Sequence, residues 1–312
     1  MNTMPCIYAV VVTWNAAPWI RAALISLRAS TLPVHVIVVD NASTDMTCSI
    51  VKDQFPEASL LPLPRNLGFG VANNYGIHYA LRHGAQYVLL LNQDATVFPD
   101  TIQHLVTVLE AYPDIGIVSP LHKAGSTSHL EPLFFDFIRG RADLISDALH
   151  GTLRDAYDID FVNAAIWLVR RSVFEQVGGF DPIFFMYGED NDYCARTLFH
   201  GFRICIVPTA WACHSGGSIP GVNEPFIRSV RRATSRTIAY LKRPAHRFYR
   251  SCLSYLVVWA KHGIILLING SLRMLIAESI GLCRAYLRLW TIRKHYLQCR
   301  RPGKLWLGDS PS

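Results

Sequence analysis

Charge is scarce in this 312-residue chain, at 17% of residues, and acids are nearly missing from residues 225–312, which hold only Glu278 and Asp309. Against those two stand 17 Lys and Arg, a net +15, whereas residues 1–224 carry 13 basic and 21 acidic side chains, a net −8. The acidic front suits a site built from carboxylates, and the basic tail suits anionic lipid, nucleic acid or a phosphorylated acceptor. Paired cysteines are also lacking. Cys6, Cys48, Cys194, Cys205, Cys213, Cys252, Cys283 and Cys299 form no C-x-x-C and no zinc-type spacing, which argues against a zinc module and leaves reduced core residues. No apolar run reaches bilayer length: Leu253–Ala260 and Gly263–Asn269 are each too short, with Lys261 and His262 between them. Helices lying on a membrane surface are therefore expected rather than a span. No basic region, apolar run and cleavage site open the chain; Ile7–Val12 runs straight into Thr13-Trp14-Asn15 like a first strand, and a cytoplasmic location is expected. Internal repeats and low-complexity tracts are absent.

What is present is an alternation of short β-branched runs with helical-period segments. Strands are expected near Tyr8–Val12, Val34–Val39, Ser59–Leu63 and Tyr87–Leu91, and helices over Pro18–Ala29, Thr44–Gln54, Val71–His83 and Pro99–Ala111. That rhythm gives βαβ units, hence an α/β fold with a mostly parallel sheet flanked by helices, in which ligands bind beyond the carboxyl ends of the strands. From Leu121 to Asp158 periodicity is weak, and a long irregular, mobile loop on the acceptor side is expected. The chain divides into 1–224, a catalytic domain, and 225–312, a basic amphipathic helical region.

Five blocks at expected strand or helix ends could carry chemistry. Val38–Asp45 (VVDNASTD) closes the second strand with Asp40, where a carboxylate can accept hydrogen bonds from a base or ribose, or where the block simply starts the next helix. Arg65–Asn74 (RNLGFGVANN) offers Gly68 and Gly70, which let backbone N–H groups approach a phosphate or sugar; Asn73 stands where a dinucleotide fingerprint needs its last glycine. Leu89–Thr96 (LLLNQDAT) delivers Asn92 and Asp94 at the end of a very apolar strand, a placement that suits a Mg or Mn ion bridging a diphosphate, or a helix N-cap. Phe184–Tyr193 (FFMYGEDNDY) packs Glu189, Asp190 and Asp192 at a helix start after an aromatic run; crowded carboxylates repel, some pKa values rise, and a general base results. His214–Ser218 (HSGGS) offers an imidazole that can complete a metal shell or touch a phosphate.

In order and spacing these blocks, spread over residues 6–218, resemble glycosyltransferase family 2, and in particular its bacterial rhamnosyltransferase branch. The resemblance implies the GT-A nucleotide-diphospho-sugar transferase fold and an inverting, metal-dependent hexosyltransferase in cell-surface polysaccharide synthesis. It further implies dTDP-rhamnose as donor, with UDP-sugars next, and a glycan or lipid-linked acceptor. Carried over by position, Asp190 is the base with Glu189 beside it. Asp94 and His214 are metal ligands, and Thr13, Asn15, Asp40, Asn41, Asp45, Arg65, Asn66, Gly68, Asn73 and Asn92 line the nucleotide-sugar site. Asn92 occupies the first place of the D-x-D-type motif, which leaves Asp94 as the dependable ligand. A nucleotidyltransferase would carry a basic Gly-rich loop after the first strand, where Thr13-Trp14-Asn15-Ala16-Ala17 stands instead, and an inactive membrane-attached scaffold would not need Asp94 and Asp190. The basic tail is expected to hold the protein peripherally on the cytoplasmic face of an anionic inner membrane; packing of its apolar faces on the catalytic domain or in a homo-oligomer stays open. Nucleic acid is disfavoured, because no recognised binding motif accompanies the charge.

Overall fold

A computed structural model describes residues 4–125, 127, 129–215 and 225–307. The front half forms β1 (Ile7–Thr13), α1 (Ile20–Arg28), β2 (His35–Asp40), α2 (Thr47–Gln54), β3 (Ser59–Pro62), α3 (Phe69–Arg82) and β4 (Tyr87–Asn92). All four expected strands are present. The helices start where local bonds allow rather than where periodicity begins: Asp45 accepts the N–H of Thr47, so α2 begins there and not at Thr44. Continuous apolar runs let these strands bury both faces. Along β1, Ala9 and Val11 enter the layer under α1 and α4 (Thr101–Ala111), while Val10 enters the layer under α3.

The sheet order is β3-β2-β1-β4-β8-β6-β9-β5, with β7 (Tyr157–Asp158) paired to β9. Here β5 is Ala95–Val97, β6 is Ile115–Ala124, β8 is Ile166–Arg170 and β9 is Arg203–His214. The first four strands are parallel, as the βαβ rhythm requires, but β8 enters antiparallel to both β4 and β6, so the whole sheet is mixed. Because β2 and β3 lie on one side of β1 and β4 on the other, the strand order reverses between β1 and β4, where a crevice opens at the carboxyl ends. Register sets Thr13 opposite Asp40 and Val12 opposite Asn92, so three candidate residues share one end of the sheet.

The expectation of irregular structure from Leu121 to Asp158 is corrected. β6 runs on to Ala124, and the chain folds back along it through Ala124 N–H to His129 O, a Lys123–Leu130 bridge and Glu131 N–H to His122 O. Two short helices follow, α5 (Pro132–Ile138) and α6 (Ala142–His150). Pairing with a distant strand, which leaves no periodic signal, supplies the order there.

After α7 (Arg171–Gln176) and α8 (Glu189–Phe199) come four helices: α9 (Phe226–Leu241), α10 (Phe248–Ile268), α11 (Leu272–Tyr286) and α12 (Leu289–Cys299). They pack on the catalytic half. Ile183 and Phe184, just before α8, share a core with Ile238, Leu241, Tyr255, Ala285 and Ile292. Beneath it lies a buried ion network in which Lys242 pairs with Asp181 and with Asp192, at 2.7 Å for the latter. His295 meets Asp181 at 2.6 Å and Arg196 meets Asp192 at 2.8 Å. The two apolar stretches 253–260 and 263–269 belong to one 21-residue helix, α10, which is long and apolar enough to cross a membrane by length and composition, contrary to the sequence expectation. Lys261 and His262 do not interrupt it, because both residues are compatible with helix. The eight cysteines are free; Cys194, Cys205 and Cys299 are buried as expected, but Cys283 is exposed.

Candidate active site

The nucleotide end is built by polar side chains that tie three loops together. Buried Asp40 accepts Thr13 Oγ1–H at 2.9 Å and the backbone N–H of Ser43 at 2.9 Å. Asp45 is committed to folding, since its carboxylate accepts from Ala17 N–H and Thr47 N–H and so pins the β1–α1 loop to the start of α2. Asn15 accepts Thr44 N–H at 2.8 Å with a backbone at φ 50°, and Ala42 lies at φ 63°. Positive φ at Ala42 costs free energy that neighbouring bonds must offset, and such strain gathers at functional loops.

Asn41 links this loop to the next one. It accepts Leu67 N–H at 2.7 Å and donates to Asn66 Oδ1 at 3.0 Å. Gly68 is then dictated: its φ is +87°, and a Cβ there would sit 2.1 Å from the carbonyl oxygen of Phe185. That close approach, with Phe69 N–H donating to Phe185 O at 3.1 Å, brings the start of α3 against the aromatic segment before α8. Asn73 is buried and donates to Phe69 O, holding the first turn of α3. Arg65 is exposed and makes no ion pair among the described residues, which leaves its charge available at the rim.

The metal end lies where the turn from β4 into β5 meets the end of β9. Ala95 pairs with His214, so Asp94 and Asn92 flank the imidazole: Nε2 is 3.5 Å from Asp94 Oδ1 and 3.3 Å from Asn92 Nδ2. On its other side Nδ1 is 3.0 Å from Glu131 Oε2. Glu131, which sequence reasoning missed, is buried and also lies 3.6 Å from His122 Nδ1, while His122 Nε2 meets Ser119 Oγ at 3.1 Å. Burial opposes charge on Glu131, but the two imidazoles pull its pKa down to about 2. Burial likewise opposes charge on His214, yet hydrogen bonds to Asp94 and Glu131 push its pKa up to about 9.

His122, Glu131 and His214 could themselves be read as a metal triple, since their ligand atoms lie within 4.8 Å of one another. All three are buried; Glu131 Oε2 is hydrogen-bonded to His214 Nδ1, whereas His122 Nδ1 lies 3.6 Å away without a hydrogen bond, so the carboxylate orients His214 and leaves Nε2 facing Asp94. Asp94, whose side chain is 25% exposed, is the open side of the pair. Within HSGGS only His214 and Ser215 can be placed; Gly216, Gly217 and Ser218 lie outside the described residues.

The three acids of α8 separate by partner. Asp192 is neutralised by Arg196 and Lys242 and belongs to the ion network. Glu189 is buried with Oε2 unpartnered, and removal from water together with Asp190 beside it raises its pKa. Asp190 is also raised, chiefly by removal from water, and among the described residues its Oδ1 accepts the N–H of Asn191 alone. A half-buried carboxylate with a raised pKa and a free oxygen is suited to accept a proton near neutrality. Tyr187, at φ 69°, and Gly188, at φ +81°, turn the chain sharply into α8. Arg231 and Arg232 of α9 stack over Phe185 and Tyr187 at 5.0 and 4.4 Å, cations that the sequence placed only in a tail.

A parallel half-sheet with a carboxylate ending β2, and a carboxylate and an imidazole ending β4 and β9, places the chain in the GT-A fold class. Residues 8–178 match the model of glycosyl transferase family 2, and residues 156–215 match one described as the N-terminal domain of galactosyltransferase. The chain belongs to glycosyl transferase family 2. It is 30% identical over 233 residues, 66% of its length and 74% of the other's, to an N-acetylglucosaminyl-diphospho-decaprenol L-rhamnosyltransferase of Mycobacterium tuberculosis. It is 28% identical to the dTDP-rhamnosyl transferase RfbF of Shigella flexneri, over 72% of this chain and 76% of that one. Among solved structures, a mannosyltransferase from Pyrobaculum calidifontis in complex with GDP-Man and Mn2+ shares the fold at TM-score 0.58 and 21% identity, covering 96% of this chain and 86% of that one.

Proposed function

We propose that this glycosyltransferase moves rhamnose from dTDP-rhamnose to a hydroxyl of a lipid-linked glycan acceptor in bacterial cell-surface polysaccharide synthesis, with inversion and with a divalent cation. The observation that carries the reading is the pairing of an oriented Asp94–His214 set with a separate carboxylate, Asp190, whose pKa is raised. The names of the rhamnosyltransferase relatives support the donor and acceptor classes.

Asp94 Oδ1 and His214 Nε2, with Glu131 fixing the ring, form a mixed oxygen and nitrogen donor set that fits Mg or Mn with open positions left for phosphate. Bound there, the ion would neutralise charge on the leaving diphosphate. Asp40 and Thr13 hold the nucleoside end, and the loop around Gly68 presents backbone to the donor. Asp190 takes the acceptor hydroxyl's proton as that oxygen forms its bond to the anomeric carbon and the bond from that carbon to the diphosphate oxygen breaks. A single displacement of this kind inverts the centre. Proton NMR of the product tests it: the α-to-β or β-to-α change relative to the donor is expected, and retained configuration refutes it.

We also propose attachment to the cytoplasmic face of the membrane through α10 lying in the surface plane. Ser251 and Tyr255 are turned inward, while Leu253, Val257, Ile264 and Ile268 are exposed at 66%, 56%, 57% and 79%. A helix packed along α9 and α11 on one side and apolar on the other suits an interface better than an isolated span. Release from anionic vesicles by high salt or alkaline carbonate is expected; resistance to both would mean insertion.

A further inference from the structure

Residues 303–307 lie across the turn that follows α7 on the way to α8, the helix that carries Asp190. Gly303 N–H donates to Gln176 O and Gly179 N–H donates to Leu305 O, each at 2.8 Å. Gly178 has φ +84°, and a Cβ there would sit 2.5 Å from Leu305 O, so turn and segment meet backbone to backbone. The same turn is gripped from α8, where the Arg196 guanidinium donates to Val177 O and Gly179 O, both at 2.8 Å. Leu307 is buried in the core layer under α3. Between Leu305 and Leu307 stands Trp306, whose ring meets three members of the buried ion network. Arg196 Cζ lies 5.0 Å and Lys242 Nζ 5.2 Å from the ring centre, and the His295 imidazole stacks on it at 5.9 Å with 21° between the planes. Indole attracts a cation more strongly than the other aromatic side chains do, and it adds no further charge beside Asp181 and Asp192. The backbone of Trp306 has φ 58°, in the left-handed region that glycine enters freely and a residue with a Cβ enters only at a cost in free energy. A bulky side chain kept there points to a role for the ring rather than for the turn.

The two cations under the ring hold both oxygens of Asp192, Arg196 at 2.8 Å and Lys242 at 2.7 Å. Asp192 stands in the first turn of α8, two residues after Asp190, with its N–H bonded to Gly188 O. Among the described residues no ion pair fixes Asp190 itself, whose Oδ1 accepts the N–H of Asn191, so its place depends on the placing of that turn. We propose that Trp306 is a positioning residue for the base: its ring, held over Arg196 and Lys242, fixes the first turn of α8 and so sets Asp190 for the acceptor hydroxyl. The inference rests on Asp190 as the base and adds what keeps it in place. A displacement of about 1 Å at a reacting group can lower a rate roughly a hundredfold. The donor end, at Asp40, Asp94 and His214, belongs to strand ends and a turn of the sheet instead, so donor binding does not depend on the ring.

The test compares the whole protein with its Trp306→Gly and Trp306→Phe variants. Glycine removes the ring while relieving the backbone; phenylalanine keeps a π face on an unchanged backbone. Trp306→Gly is expected to lower kcat for transfer from dTDP-rhamnose roughly tenfold to a hundredfold, with the donor KM and the affinity for dTDP plus Mn2+ within about twofold of wild type. Trp306→Phe is expected to recover most of that loss. Hydrogen–deuterium exchange in Trp306→Gly should quicken by at least about tenfold at the amides of residues 192–196 and stay unchanged along β1 and β4. Should Trp306→Gly fail to fold, Trp306→Leu, which fills the space without a π face, carries the same expectations. Wild-type kcat in the ring-less variant, a parallel loss of dTDP affinity, or unaltered exchange in α8 would each overturn the proposal. A wild-type protein that transfers nothing from dTDP-rhamnose would refute the donor reading instead. Exchange then decides alone: quickened exchange in α8 upholds the fixing of its first turn by Trp306, and unaltered exchange overturns it.

Discussion

Lys242 is fully buried on α9's carboxyl end, yet it holds α8 in place from outside the catalytic half. Its ammonium pairs with Asp192 at 2.7 Å and also with Asp181, and no solvent reaches any of the three. Burial opposes the charge on Lys242, but the two carboxylates raise its pKa; Asp181, though burial works against it, is held well below the usual carboxylate range by Lys242 and His295. Lys242→Met keeps most of the volume and removes the charge, leaving Arg196 and His295 to face two buried carboxylates. Breaking a buried pair from one side costs about 3–5 kcal/mol. At roughly 2–4 °C per kcal/mol for a domain of 150–250 residues, and less in this longer chain, the melting temperature should fall by about 5–15 °C. The double variant Lys242→Met/Asp192→Asn should recover part of that loss, because it removes one uncompensated charge as well. Differential scanning fluorimetry with far-UV circular dichroism reads both. A fall of less than about 2 °C in Lys242→Met, with none of it recovered in the double variant, would refute the claim that the network fastens α9 to α8. The sign with pH follows from Asp181: a depressed acid stabilises above its unfolded pKa of about 4 and loses that contribution as pH falls below it, so the difference between wild type and variant should shrink on acidification.

Asp190→Asn should retain donor binding and lose turnover by roughly a hundredfold to ten-thousandfold, about 3–5 kcal/mol of barrier, in steady-state assays; near-normal turnover would move the role to Glu189. Glu131→Gln should weaken Mn2+-dependent dTDP binding by about tenfold to a hundredfold in isothermal titration, the usual effect of removing the partner that orients a ligating imidazole. The same binding should strengthen with rising pH by up to about tenfold per unit below the His214 pKa of about 9, because the cation must displace the proton on Nε2; a flat profile would remove His214 from the metal. Turnover should fall on the acid side at a pH above the ordinary carboxylate range, since Asp190 must be deprotonated and its pKa is raised.

The parallel half of the sheet was readable because buried parallel strands announce themselves as apolar runs and their carboxyl ends are fixed by topology; Thr13, Asp40 and Asn92 share one edge for that reason. Glu131 was not readable. It reaches His214 across 83 residues through a strand return that carries no periodicity, and Pro132 after it signals only a helix start. Asp192 showed the opposite failure, looking like one of three equivalent acids until Lys242, 50 positions away, was folded against it. The tail was legible as basic helices, but charge counting did not foresee that α9 and α12 would send Lys242 and His295 into the catalytic half. Local composition reports the surface a helix could cover, while burial of a single charge depends on partners elsewhere in the chain.

Rhamnose transfer from dTDP-rhamnose, with a divalent cation held at Asp94 and His214, is the proposed reaction. Purified protein, incubated with radiolabelled dTDP-rhamnose and N-acetylglucosaminyl-diphospho-decaprenol, measures it directly. Label is expected in the lipid fraction, lost with EDTA, restored by Mn2+ or Mg2+, and absent in Asp94→Ala under every condition. Transfer by Asp94→Ala at the wild-type rate, or transfer undiminished by EDTA, would contradict it.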